Sequence, residues 1–477
     1  MSKNIVLLKL LNQRIYMNLK IIALISCLFY GGQAFSQTEE DKKIIRQIYD
    51  EALEQGAAYE DLRDLCKNIG ARLSGSKELE QAVIWGEETL EALEPDAVFK
   101  QAVLVPKWIR TKKENGYFYS NQGRVNMDIS ALGGSVGTGT NNQISASVIE
   151  VQGIEDLANM DTADIKGKFV FFNKPFNEKL INTFHAYGGC VNQRWGGASE
   201  AAKYGAIGVL VRSLTNAHDH FAHTGSLGYE DPDKAIPAAA ISTETADLLS
   251  TQLKNDSTLT AYMKLGCYSM DDAESHNVVA EIKGSTFPDK YITIGAHLDS
   301  WDLGEGAHDD GAGIVQTIEV LRIFKLLDIQ PKHSIRFVLF TNEENGARGA
   351  KRYAQLAEQN GEKHVAAIES DCGGFSPRGF NLDASPKQMK MIRAWKKIVE
   401  PYGLHYFEKG HTGVDIGPLK KNNPNIILMG LHPDSQRYFD FHHADSDVFE
   451  SVNRRELELG AASIASILYL LDKNMVN

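Results

Sequence analysis

His297-Leu298-Asp299, His308-Asp309-Asp310, Glu343-Glu344, Glu369-Ser370-Asp371 and His442-His443-Ala444-Asp445-Ser446-Asp447 have the side-chain types and spacing to do chemistry. Imidazole and carboxylate together are zinc ligands, and a catalytic zinc keeps one position open for water. Two ions about 3.5–4 Å apart need a bridging carboxylate and clamp a nucleophilic water between them. Such a centre requires two histidines, a bridging Asp, two terminal carboxylates and a Glu as general base. The adjacent Glu343 and Glu344 supply one ligand and one base. Asp299, two residues beyond His297, suits a carboxylate that orients the imidazole.

Each cluster also has a plainer reading. His297 alone is a strand-end histidine. Asp309-Asp310 before Gly-Ala-Gly is a helix N-cap favoured by the helix dipole. Glu343-Glu344 is a solvated helix start, and Asp371 caps a turn with Gly373-Gly374. Singly, these readings are as good as the metal reading. Jointly they fail, because five such clusters in order at strand ends are left unexplained. Cys372, beside Asp371, is not needed as a ligand, and Asp415 reads as structural.

The elements that must position these groups are legible as well. Apolar β-type runs cover 278–282, 291–296, 334–341, 366–369 and 426–429. Helical patterns cover 312–327, 347–360, 387–399 and 455–471. This alternation implies an α/β fold: a mostly parallel mixed sheet with helices on both faces and a site at the strands' carboxyl ends. Earlier, helices are expected over 41–49, 57–69 and from Ser76 to about 93, then a strand over 98–105. Between them lies the loop Gly70-Ala71-Arg72-Leu73-Ser74-Gly75-Ser76. From about 121 the texture changes to Gly- and Ser-rich sequence with short β runs at 146–151, 169–172 and 208–211. That stretch has its own strand–helix rhythm and no dense ligand pattern. His185, His218 and His220 in it read as surface or loop histidines, and His223-Thr224-Gly225 has at most a minor place at the cleft.

GAHLDSWDLGEGAHDDGAG, FTNEENGARGA, IESDCGG and YFDFHHADSD resemble, in order and spacing, the motifs of the M28 family of di-zinc exopeptidases, above all its carboxypeptidase Q branch. GGASEAAKYGAIGVLVRS, HTG and IPAAAIS resemble that branch's protease-associated (PA) domain. The resemblance implies a phosphorylase/hydrolase-like zinc exopeptidase fold with peptidase parts at 37–125 and 271–477 around a PA domain at 126–270. It implies His297 and Asp371 on one zinc, Glu344 and His443 on the other, Asp309 bridging them and Glu343 as general base. His443 is chosen over His442 because the family pattern has an Asp four residues after the ligand, and Asp447, read as a residue behind the ligands, stands four after His443. A cis peptide between Asp309 and Asp310 and a homodimer are also implied. HHADSD and Asn345 depart from the branch's usual residues, at positions that would touch substrate.

The implied activity is hydrolysis of dipeptides or short peptides with free termini. The alternatives are an M28 aminopeptidase and a non-catalytic receptor that has lost its metals. Since every ligand position is filled, the enzyme reading is preferred.

Composition agrees. The chain has 477 residues, 43% hydrophobic and 23% charged, with a formal charge of −12. That charge argues against nucleic acid, whose phosphates demand clustered Lys and Arg. Residues 1–36 read as an export signal: Lys3, Lys9, Arg14 and Lys20, an apolar run at 21–30, then small residues, with cleavage after Ser36. Met17 is an alternative start, and lipoprotein processing at Cys27 a minor alternative. The run is shorter than the ~20 residues a membrane span needs. Removing the signal takes the charge from −12 to −16. Cys66, Cys190, Cys267 and Cys372 remain, with no regular spacing. They read as buried free thiols or as one unassigned bridge.

Overall fold

Strands buried on both faces are apolar along their whole length, whereas half-buried strands alternate. Residues 292–295 and 334–340 are of the first kind apart from Thr293, Ser334 and the ion-paired Arg336, and they lie in the middle of a large sheet. The computed structural model describes residues 39–475 apart from 112–113, 121–122 and 140–141. The expected export signal, with Met17 and Cys27, lies outside the described residues.

The larger sheet has eight strands: β1 (Ala97–Arg110), β2 (Cys267–Ile282), β3 (Phe287–His297), β4 (His333–Phe340), β5 (Lys363–Glu369), β6 (Pro377–Asp383), β7 (Tyr406–Lys409) and β8 (Ile427–Pro433). Their order is β1-β2-β4-β3-β5-β8-β6-β7. The four central strands, β4, β3, β5 and β8, are mutually parallel. β2 is antiparallel to β4, and β6 to β8, which makes the sheet mixed, as expected.

Helices cover both faces. They include α1 (Lys77–Glu91), α2 (Ala312–Leu326), α3 (Arg348–Gln359) and α4 (Arg454–Asn474). Side chains alternate across β4, so Ile335, Phe337 and Leu339 join a core with Ile314 and Ile318 of α2 and Leu457 and Ile464 of α4. Val338 and Phe340 point the other way, onto Ala350 and Tyr353 of α3. Each fully buried side chain of this size contributes roughly 1.5–3 kcal/mol. Helix starts carry sequence-coded caps: Ser76 accepts from the Leu79 amide, and Asn453 from the Glu456 amide.

Strand register places the chemistry. β3 and β4 pair His297 with Phe340, so Glu343 and Glu344 emerge just past the same edge. β3 and β5 pair Gly295 with Glu369. Two residues further on each strand, His297 and Asp371 therefore leave the sheet together.

A second eight-stranded sheet is built wholly from chain between β1 and β2. Its order is Gly123–Met127, Asn115–Ser120, Thr260–Lys264, Ile144–Val151, Phe169–Phe172, Gly208–Arg212, Ala238–Ile241 and Ile129–Ala131. The expected boundary at 126 falls inside one of these strands. The sheet begins at Asn115, because the hairpin 115–127 pairs with Thr260–Lys264 rather than with β1. β1 and β2 pair from Ala97↔Glu281 to Arg110↔Cys267 and form the stem from which this unit grows.

Other departures are local. The helix expected over 57–69 is α-helical only over Ala58–Asp64, then widens over Leu65–Ile69 and ends at Gly70, whose φ of 80° suits glycine. β6 and β7 were not anticipated, because each is short and polar at alternate positions. The four described cysteines are free thiols, three of them buried. Among the described residues no helix is long and apolar enough to cross a membrane.

Candidate active site

The five clusters meet at the carboxyl edge of the central strands. His297, the last residue of β3, turns Nε2 toward Asp309 Oδ1 at 3.4 Å and Asp371 Oδ1 at 3.5 Å. His443 Nε2 lies 3.2 Å from Asp309 Oδ2 and 3.1 Å from Glu344 Oε2. The two oxygens of Asp309 thus face two separate histidine–carboxylate pairs. The peptide between Asp309 and Asp310 is cis.

Ligand atoms of Asp309, His442 and His443 lie within 4.8 Å of one another, as do those of His297, Asp310 and Asp371. The geometry thus adds His442 and Asp310 to the sequence-derived set, and local bonding separates them from it. Asp310 already accepts the amides of His297 at 3.2 Å and Gly313 at 3.0 Å, which ties β3 to the start of α2. His442 stacks on His443 at 3.5 Å, with Tyr187 and Phe439 at its edges. Its Nε2 is 3.8 Å from Asp309 Oδ2, and only His443 of the two is paired with Glu344.

Electrostatics mark the pairs as cation-seeking. Burial opposes a charged His443, yet Glu344 and Asp309 raise it to about 9. Burial likewise opposes a charged His297, but Asp309 and Asp371 hold it well above the ordinary histidine value. Burial raises Glu344 to about 7, with the Asp309 charge adding. Burial pushes Glu343 well above the usual carboxylate range, opposed by His297 and reinforced by Asp371 and Glu344. His297 Nε2, Asp309 Oδ2 and Glu344 Oε1 are buried and make no hydrogen bond. Imidazole nitrogen and carboxylate oxygen converging in this way are the donor set of a zinc centre, and the residues fit one.

Backbone partners fix the donor nitrogens. His297 Nδ1 is 2.8 Å from the Asp299 carbonyl, which can only accept, so in the neutral ring Nδ1 carries the proton and Nε2 is the nitrogen left to donate its lone pair. This corrects the expectation for Asp299. Its carboxylate does not hydrogen-bond the imidazole, standing 3.8 Å away. It accepts instead the amides of Glu343 at 3.0 Å and Glu344 at 3.3 Å, and the Ser74 hydroxyl at 3.0 Å. Asp447, four residues after His443, also acts through backbone amides. It accepts the amides of His308 at 2.7 Å and Asp309 at 3.1 Å, so it supports Asp309 rather than His443. His308 is not in the set: its ring stacks on Phe375, and burial lowers it to about 3, which keeps it neutral.

Three further contributors act chiefly through backbone groups. Arg72 is fully buried and donates to the carbonyls of Leu298 at 2.6 Å, Glu305 at 2.7 Å and Gly306 at 2.9 Å, fixing the loop between β3 and Asp309. Glu369 accepts the amides of Val414, Asp415 and Ile416 at 2.8–2.9 Å and so seats the 411–416 loop. His223-Thr224-Gly225, given only a minor place above, lies against His442 and His443. A buried arginine in a loop and a backbone carbonyl carry no periodic signal, so nothing in the sequence marked them.

The cavity over the site has a volume of about 720 Å³. The second-sheet unit contributes Tyr187, Arg194 and Trp195 to its lining, and the larger-sheet part contributes Lys409, His411 and His432.

Comparison with known proteins places these features in a family. The family model for peptidase family M28 matches residues 277–467. Carboxypeptidase Q of Xenopus laevis is 33% identical over 90% of this chain and 89% of its own length. A crystal structure of a peptidase M28 precursor from Shewanella amazonensis SB2B is 32% identical with a TM-score of 0.86, covering 92% of this chain and 98% of that one. An aminopeptidase from Aneurinibacillus sp. strain AM-1 shares the fold at 20% identity and a TM-score of 0.59, covering 88% and 95% of the two chains.

Proposed function

The chain belongs to peptidase family M28 and is a metallopeptidase; on that premise we propose that it is a di-zinc exopeptidase of dipeptides and short peptides with free termini. The observation that carries this reading is the division of Asp309, one oxygen to His297 and Asp371, the other to His443 and Glu344. In it, His297 and Asp371 would hold one ion, His443 and Glu344 the other, and Asp309 would serve both. Zinc, when bound, supplies Lewis acidity toward a carbonyl oxygen and makes a water acidic near neutrality.

The chain's own residues do the proton work. Glu343 accepts a proton from the attacking water as the water oxygen bonds to the peptide carbonyl carbon. It then delivers that proton to the amide nitrogen as the C–N bond breaks, leaving an amine and a carboxylic acid, whose remaining proton passes to the amine to give ammonium and carboxylate. Burial and the facing carboxylates raise its proton affinity, which suits a group that must hold the proton between the two steps. The Asp299 carboxylate grips the Glu343 and Glu344 amides, so base and ligand are set by one anchor.

A walled cavity of about 720 Å³ suits a short peptide rather than a long chain. Lys409 lines it without an ion-pair partner among the described residues, and it offers a cationic place for a free α-carboxylate. That favours the carboxypeptidase or dipeptidase form over the aminopeptidase form. Within the same reading the second-sheet unit is a PA domain, and residues 1–36 direct export.

A dipeptide series blocked at either end tests the specificity. Cleavage should survive N-acetylation better than C-amidation. Loss of cleavage on amino blocking alone would make the enzyme an aminopeptidase.

A further inference from the structure

The two histidine–carboxylate pairs are not held by the same part of the chain. Around His297 and Asp371 the partners are the Asp299 carbonyl, the Asp310 carboxylate and the β3–β5 ladder, all in the part of the chain that forms the larger sheet. Around His443 and Glu344 the second-sheet unit contributes as well, beside the Asp299 carboxylate that holds the Glu344 amide at 3.3 Å. The Thr224 amide donates to the His443 carbonyl at 3.0 Å, and the Thr224 carbonyl stands 3.3 Å from His443 Nδ1. The Ser226 hydroxyl donates to the Glu344 carbonyl at 2.7 Å. His223 Nδ1 donates to the His442 carbonyl at 2.7 Å.

Gly225 shows how close this approach is. A Cβ there would come within 2.6 Å of His443 Nδ1, and its φ of 131° already disfavours a side chain. His443 itself has φ 62°, a left-handed conformation that a non-glycine residue keeps only when its surroundings hold it. The segment that holds it is 223–226, whose own position is fixed by the bond from Thr224 Oγ1 to the Ala131 carbonyl at 2.7 Å.

The structure assigns to Thr224, Gly225 and Ser226 the positioning of one half of the metal centre, His443 and Glu344, and not of the other half. The inference rests on the two-ion reading above. His443 Nδ1 lies 3.3 Å from the Thr224 carbonyl and 3.3 Å from Arg194 Nη1, both of the second-sheet unit, so that unit sets the ring's direction whichever ring nitrogen carries the proton. The second-sheet unit then does more than wall the cleft, because retention of one ion depends on its docking.

The test is metal release from the full chain under a graded chelator, with zinc counted by mass spectrometry and the cobalt-loaded form followed by its visible spectrum. In Ser226→Ala one equivalent should bind about 10-fold more weakly while the other keeps its wild-type affinity. Ser226→Thr restores the hydroxyl and should restore that equivalent. Gly225→Ala should abolish it, with the cobalt spectrum of the remaining ion unchanged. If Gly225→Ala does not fold, Ser226→Ala and Ser226→Thr decide the matter alone. Unchanged release from Ser226→Ala, or equal weakening of both equivalents, would overturn the inference while leaving the two-ion reading intact. A wild-type chain that never holds two equivalents would refute the two-ion reading itself, and this inference with it.

Discussion

His297 and His443 face the same carboxylate from opposite sides and are positioned by opposite means. His297 ends a strand flanked by parallel neighbours on both sides, so the hydrogen-bond ladder places its backbone before its side chain makes any contact. His443 lies in a turn after the short helix Tyr438–Phe441, in a left-handed conformation, held by a loop from another sheet. One ligand is placed by secondary structure and the other by tertiary docking. Secondary structure tolerates local change, whereas a docked turn depends on each contact that holds it. The two halves of the centre should therefore fail under different substitutions.

Asp309→Asn should have the largest effect, because it strikes what the halves share. Turnover should fall to the uncatalysed background, and both metal equivalents should weaken in chelator titration. Loss of only one equivalent would contradict a bridge.

Arg72→Met should come next, and it should strike the chain around His297. Removing a buried guanidinium that satisfies the Leu298, Glu305 and Gly306 carbonyls leaves them unpaired, at a cost of about 3 kcal/mol or more. A thermal melt should show a lowered Tm, and metal release should now weaken first at the equivalent that Ser226→Ala spares. Weakening at the same equivalent as Ser226→Ala would erase the distinction between the halves.

The smallest effect is expected far from both histidines. Glu458, on α4, is pushed up from 4.5 to about 8 by burial, with the Glu319 charge adding. The folded chain thus holds a proton there that the unfolded chain releases near the ordinary glutamate value. Its stabilising contribution is complete below that value and is lost as pH rises through about 8. Glu458→Gln, neutral throughout, should raise Tm relative to wild type near pH 8 but hardly near pH 5, with metal content unchanged. An equal shift at both pH values would contradict this.

The contrast between the histidines also explains what the sequence could convey. His297, Asp371, Glu343 and Glu344 were legible because they follow apolar runs whose period and length announce strands, and strand ends are where α/β sheets gather function. His443 was chosen over His442 only through a family resemblance. The residues themselves left the choice open, and the pairing with Glu344 is visible only in three dimensions. The role of Asp299 was misjudged because a position two residues from a histidine says nothing about whether its carbonyl or its carboxylate makes the contact. Sequence pattern does not reveal that the hairpin 115–127 belongs to the second sheet, because it pairs with a strand far along the chain. Arg72, Thr224 and Ser226 act through backbone carbonyls and amides, which leave no mark on side-chain pattern.

Glu343→Gln tests the account's central claim most directly, with metal content and dipeptide hydrolysis measured on one preparation. The variant should bind both metal equivalents as wild type does and lose turnover by about 10²–10⁴-fold, because its amide cannot take a proton from water. Wild-type turnover with full metal content would contradict the assignment of Glu343 as the base.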